Sequence, residues 1–178
     1  MRPDDFLQAL HEWQNYYTLL GEVSATLTGL MFIAASLGTR LLDDKSGPKV
    51  QTFITPTVLY FSLVLLVSAL MNVPTQTRLS LTVEIGILGL CASGYSLSHL
   101  GRLHTFSHAG ILTRSAWFWT VAGPLFASSW LLGAAALYLH RSLVWALDAE
   151  GVGTLLFVLV GLRNAWDVTL RMVRMTPS

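Results

Sequence analysis

Glu22 and Glu84 are carboxylates set in stretches that are otherwise almost wholly apolar, and Arg163 stands four residues before Asp167 in a third such stretch. An ionisable side chain costs ~2.5–3.5 kcal/mol at the centre of a membrane helix on insertion scales, so it marks either a partner or a pathway. The chemistry open to the two acids is electrostatic. Each carboxylate can reach the outer headgroups or bond to a neighbouring Thr or Ser. As a pair, or as a ring in an oligomer, the two would instead form the negative mouth of a cation pathway. Arg163 and Asp167 can pair on one helix face. That pair reads as a structural clamp ahead of an inner gate, because either charge alone in the inner leaflet is costly.

The face that starts at Glu22 continues through Ala25, Thr26, Gly29, Ile33, Ser36 and Arg40. It is small and polar, with Glu at one end and Arg at the other. Glu22, Thr26, Ser36 and Glu84 are therefore the candidate pathway or selectivity residues. Gly21, Ala25 and Gly29 form a small-xxx-small-xxx-small row, which lets helix backbones approach closely. Gly86, Gly89, Ser93 and Ser96 form a second packing stripe of the same kind.

Other chemistries find less support. His104 and His108 are four apart, with His99 near, but no Asp, Glu or Cys flanks them in the same loop, so a solvated basic loop is the better reading. His99 and His140 fall at opposite faces of the membrane, which suits no haem. Gly94-Tyr95-Ser96-Leu97 has the Gly-x-Ser of an intramembrane serine protease, but no base or oxyanion hole accompanies it. No phosphate loop, hydrolase carboxylate pair or nucleic-acid patch is present. The expectation is a non-enzymatic protein with no cofactor, no metal and no nucleic-acid partner.

The elements that must position these residues follow from composition. Of 178 residues, 53% are hydrophobic and 12% charged, against roughly 25% charged in ordinary soluble domains. Mean hydropathy is +0.56. One cysteine, Cys91, excludes a disulfide framework. Eleven Lys+Arg against ten Asp+Glu exclude a basic nucleic-acid module. A bilayer core needs about 20 mostly apolar residues per helix. Five stretches qualify, near 17–42, 52–71, 79–100, 116–140 and 151–170. Residues 1–16 carry Phe6, Leu7, Leu10, Trp13 and Tyr17 at helical spacing opposite Gln8 and Glu12, the pattern of an amphipathic helix lying in the interface. The expected fold is all-α: a single polytopic membrane helix bundle of about five transmembrane helices, residues 1–178, with an N-terminal interfacial helix.

Orientation follows from the basic residues. Arg2, Arg78 and Arg141 fall on one side, and Arg40, Lys45, Lys49, Arg102, Arg114, Arg163, Arg171 and Arg174 on the other. The N-terminus is then outside and the C-terminus cytoplasmic. Asp4, Asp5, Glu12, Asp148 and Glu150 all face outward, the last two in a partly apolar 141–150 connection. Trp13, Tyr16 and Tyr17 fall in the outer aromatic belt, Trp117 and Trp119 in the inner one, with Trp166.

Glu22 to Arg40 and Glu84 to Arg102 are both separations of eighteen, Ser36 matches Ser98, and Pro56 and Pro124 follow in the next spans. The pattern suggests two tandem helix pairs in parallel topology plus an unpaired fifth span. Three stretches, WQNYYTLLGEVSATLTGLMFIAASL from Trp13, VPTQTRLSLTVEIG from Val73 and GLRNAWDVTL from Gly161, resemble a family of small, uncharacterised bacterial integral membrane proteins. That family shows an ATLTGLLF-like first span, a Pro-x-Gln loop leading to a Glu, and a final GxRNAWDL. Glu22 stands where the family pattern has a small residue. The resemblance implies a multi-pass protein of the bacterial inner membrane and carries no activity. The functional expectation is a homo-oligomeric channel or transporter for small cations or other small solutes, in contact with membrane lipid. The alternative is a non-enzymatic accessory or scaffold subunit of a larger membrane assembly.

Overall fold

The computed structural model describes the backbone of residues 3–41, 47–107, 118–140 and 143–175, and within these the side chains of residues 6–36, 55–98, 118–119, 121–140, 143–167 and 169–170. All five long elements are helices: α1 (Pro3–Leu41), α2 (Gly47–Met71), α3 (Arg78–Ser107), α4 (Gly123–Leu139) and α5 (Leu143–Met175). A π-helical turn, Phe118–Ala122, leads into α4. No strand occurs among the described residues. Three helices are long and apolar enough to cross a membrane: Phe6–Ser36, Arg78–Ser98 and Leu143–Asp167. Thr55–Met71 and Gly123–Leu139 are shorter apolar helices.

Several boundaries differ from the sequence reading: α2 begins at Gly47 rather than near 52, and α3 runs on to Ser107, past the expected end near 100, so the backbone at His104 is helix and not loop. The expected interfacial helix and first span are one uninterrupted helix. Neither Gly nor Pro lies between Asp4 and Leu20 to break it, and Phe6, Leu10, Tyr17 and Leu20 keep one buried face through the junction. Leu7, assigned to that face, is exposed. The 141–150 connection is also shorter than expected, because α5 is already helical at Leu143. Leu143, Ala146, Leu147 and Ala149 are buried there, and a helix satisfies backbone groups that a buried loop would leave unpaired. Pro124 lies in the first turn of α4, directly after the π-helical turn. Pro56 lies inside α2. The side chains of Arg2, Arg40, Lys45, Lys49, Arg102, Arg114, Arg141, Arg171 and Arg174, of His99, His104 and His108, and of Trp117 lie outside the described residues.

α1 packs on α2, α3 packs on α4, and α5 lies against α1, α2 and α4. The centre is filled by Tyr17, Phe61, Val64, Leu81, Ile85, Leu131, Tyr138, Leu147 and Phe157, all fully buried. Three glycines on α5 admit three different neighbours. A Cβ at Gly151 would stand 2.9 Å from Trp13 of α1, at Gly153 2.9 Å from Trp130 Cβ of α4, and at Gly161 2.6 Å from the Phe61 ring of α2. Hydrogen lets each helix approach closer than any larger side chain would allow.

The turn between α2 and α3 is held by side chains. Thr77 and Ser80 cap α3 reciprocally, Thr77 N donating to Ser80 Oγ at 3.0 Å and Ser80 N to Thr77 Oγ1 at 3.1 Å. Gln76, buried, donates to the Leu70 carbonyl at 3.1 Å and accepts from Ser80 Oγ. Thr18 Oγ1 donates to Asn72 Oδ1 at 3.2 Å, tying α1 to the same end of the bundle.

Candidate functional site

The residues singled out from sequence do not converge. Glu22, Ala25, Thr26, Gly29, Ile33 and Ser36 are all exposed on the outside of the single chain. Thr26 Oγ1 donates to the Glu22 carbonyl and Ser36 Oγ to the Phe32 carbonyl, both at 2.8 Å, so these hydroxyls fold back onto their own helix. Of the small-residue row, Gly21 meets α2, where a Cβ would stand 3.1 Å from Ser68 Cβ, while Gly29 faces open space. Glu22 borders a shallow groove between α1 and α2 with Thr18, Ala25, Leu65, Ser68 and Asn72. Glu84, half-buried on α3, accepts a 2.8 Å hydrogen bond from Gln76 Nε2. It thereby fastens the α2–α3 turn. The helices carrying Glu22 and Glu84 share no substantial packing face, so one chain does not make a paired mouth of them.

The second stripe faces α4. Gly86 stands opposite Ala135, Gly89 would bring a Cβ within 3.0 Å of the Leu132 side chain and 3.3 Å of its backbone nitrogen, and Ser93 Oγ donates to Ser128 Oγ at 2.9 Å. Arg163 Nη1 donates to Asp167 Oδ1 on one face of α5, with both side chains about one-third exposed. Trp166 beside them is exposed.

The most unusual polar group is one the sequence reading placed outside. Glu150 is fully buried on α5, not in an outward-facing connection. It continues the buried row Leu143, Ala146 and Leu147, then Glu150, Thr154 and Phe157, at steps of three and four. That spacing was present in the sequence. It was masked by starting the fifth span after its acids, at Gly151. Glu150 Oε2 accepts a 2.6 Å hydrogen bond from the fully buried Tyr138 hydroxyl of α4. Glu150 Oε1 is buried and has no hydrogen-bond partner.

Aromatic side chains of α1 close the site. Tyr17 of α1, fully buried, donates to the Leu147 carbonyl at 3.4 Å, one turn before Glu150. Tyr16 donates to the Gly151 carbonyl at 2.9 Å. Arg78, at the start of α3, acts on the Tyr138 hydroxyl through space. Trp13, Tyr16 and Tyr17 stack edge-on or tilted at 5.3–6.0 Å and cover this end of α5. The Trp13 and Tyr16 rings also line a groove with Glu12, Asp148, Gly151 and Val152.

A carboxyl held in this way can bind and release a proton or turn a hydroxyl. Among the described residues no group of three His, Cys, Asp or Glu side chains is placed to hold a metal. Comparisons with family models, with characterised proteins and with solved structures find no match to this chain.

Proposed function

We propose that the protein is a five-span integral protein of a bacterial inner membrane, N-terminus outside and C-terminus cytoplasmic, that assembles with copies of itself and passes small cations along the α1 face. The observation that carries this reading is the exposure of Glu22 on the outer surface of the bundle, on the same face as Thr26 and Ser36. A carboxylate turned toward acyl chains is costly. An interface between protomers gives it water or protein instead, and a negative mouth raises the local cation concentration. The two shorter apolar helices also fit spans, since 17 residues is at the low end of the usual range of about 17–25.

Topology is tested first. With Cys91 replaced, a single cysteine near Asp4 should react with an impermeant thiol reagent added from the periplasmic side, and one near Ser178 should not. The reverse pattern inverts the bundle. Flux is tested second. Reconstituted protein should pass small monovalent cations, and Glu22→Gln/Glu84→Gln should reduce cation preference over anions while assembly stays intact.

A second reading has its own support, the closed interior of the single chain. Tyr17, Phe61, Leu131, Tyr138 and Phe157 fill the place where a path through one protomer would run. On that reading the α1 face docks another membrane subunit and the protein is an accessory or scaffold. Wild-type vesicles with no flux for any ion tested would favour it.

A further inference from the structure

We infer that Glu150 is a proton-binding site, reached from the groove that Glu12 and Asp148 flank and closed on its inner side by Tyr138. The inference starts from what surrounds the carboxyl. Both oxygens are buried, one holds the Tyr138 hydroxyl, and the other holds nothing. An ionised carboxylate buried with a single neutral donor loses far more solvation than one hydrogen bond returns. A neutral carboxylic acid in the same place leaves at most one O–H unpaired, a cost of about 1–3 kcal/mol. The protonated form therefore wins in this arrangement of the helices.

The charged and titratable groups facing the site agree with that state. On α1 these are Tyr17, Tyr16 and, at the groove, Glu12. On α4 there is Tyr138, and on α5 itself Asp148. Arg78 of α3 acts on Tyr138, the hydroxyl next to the carboxyl. The last two turns of α2, Val64–Met71, bring no titratable side chain. Neutral tyrosines and acids form most of this set, and Arg78 is the one cation in it.

The route is short. Gly151 follows Glu150 directly and lines the groove with Trp13 and Tyr16, and the Tyr16 hydroxyl is fastened to the Gly151 carbonyl. A proton from water in the groove adds to a Glu150 oxygen, and on release it returns to water there. No other bond is made or broken. Release leaves an anion among Tyr17, Tyr138 and Leu147, which favours separating α1 from α5 so that water reaches it. The site thus links proton occupancy to the seating of α1, whether or not the assembled protein passes cations.

Infrared spectroscopy of the full-length protein in lipid vesicles tests this without any flux measurement. At neutral pH the wild type should show a protonated-carboxyl C=O stretch that shifts in deuterium oxide and is missing from Glu150→Gln. Tyr138→Phe should keep that band and move it to higher frequency, since the carbonyl loses its hydrogen bond. A wild-type spectrum that differs from Glu150→Gln only in the carboxylate region would overturn the proposal. If Glu150→Gln fails to fold, the Tyr138→Phe arm decides alone: a shifted band supports the site, and no band sensitive to that substitution rejects it.

Discussion

Gly153→Leu is expected to keep α4 and α5 from docking. The Cβ of any larger residue would meet Trp130 Cβ at 2.9 Å and the Ala127 carbonyl oxygen at 3.3 Å. Neither atom is the far end of a flexible side chain, so the helices themselves must separate. Even Gly153→Ala should cost about 1–3 kcal/mol, the usual range for overpacking, and leucine more. Gly94→Ala and Gly133→Ala are the controls, because a Cβ at either position meets nothing within 4 Å. Both should melt at or slightly above the wild type, since alanine gains up to about 1 kcal/mol over glycine in a helix. Thermal melts in detergent read the difference. A Gly153→Ala variant as stable as Gly94→Ala would show that α4 and α5 can part at no cost.

Asp167→Ala should be the second large loss. It leaves the Arg163 guanidinium on α5 without the carboxylate one turn away. Removing one partner of a fully buried pair costs ~3–5 kcal/mol. Here each side chain is about one-third exposed, and arginine can extend toward the interface, so about 2–3 kcal/mol is expected. Arg163→Ala/Asp167→Ala removes the stranded charge and should be no less stable than Asp167→Ala alone. A single variant that melts like the wild type would mean that the pair contributes nothing to the fold.

How far the sequence carried depends on what each residue's neighbours could reveal. Helical content was plain, because long apolar runs separated by short polar stretches admit little else. The end of α2 at Met71 and the start of α3 at Arg78 fall within one residue of the expected 71 and 79, at the polar turn around Pro74. The start of α5 was missed for a physical reason. Asp148 and Glu150 count as loop residues on any hydropathy scale, and only the buried row on either side of Glu150 shows that it faces inward. Gly86, Gly89 and Ser93 stood out as a stripe since their spacing lies within one helix. Gly151, Gly153 and Gly161 did not, because they face three different helices and make no single row. Glu22 and Glu84 looked like a pair owing to similar depth along their spans. Depth says nothing about which helices are neighbours, and theirs are not.

The central position of α5 also bears on how the protein is made. A chain leaves the ribosome from its N-terminus, so α1 and α2, then α3 and α4, are made before the helix that joins them. Until α5 arrives, Phe61 has no Gly161 to close on, Trp130 has no Gly153, and Tyr138 has no carboxylate. The two early hairpins must wait side by side as separate, loosely held units. Insertion of the last helix is then the step that commits the chain to its fold. A nascent chain stalled before that step presents the cell's membrane proteases with an open bundle, whereas one released just after it is already closed.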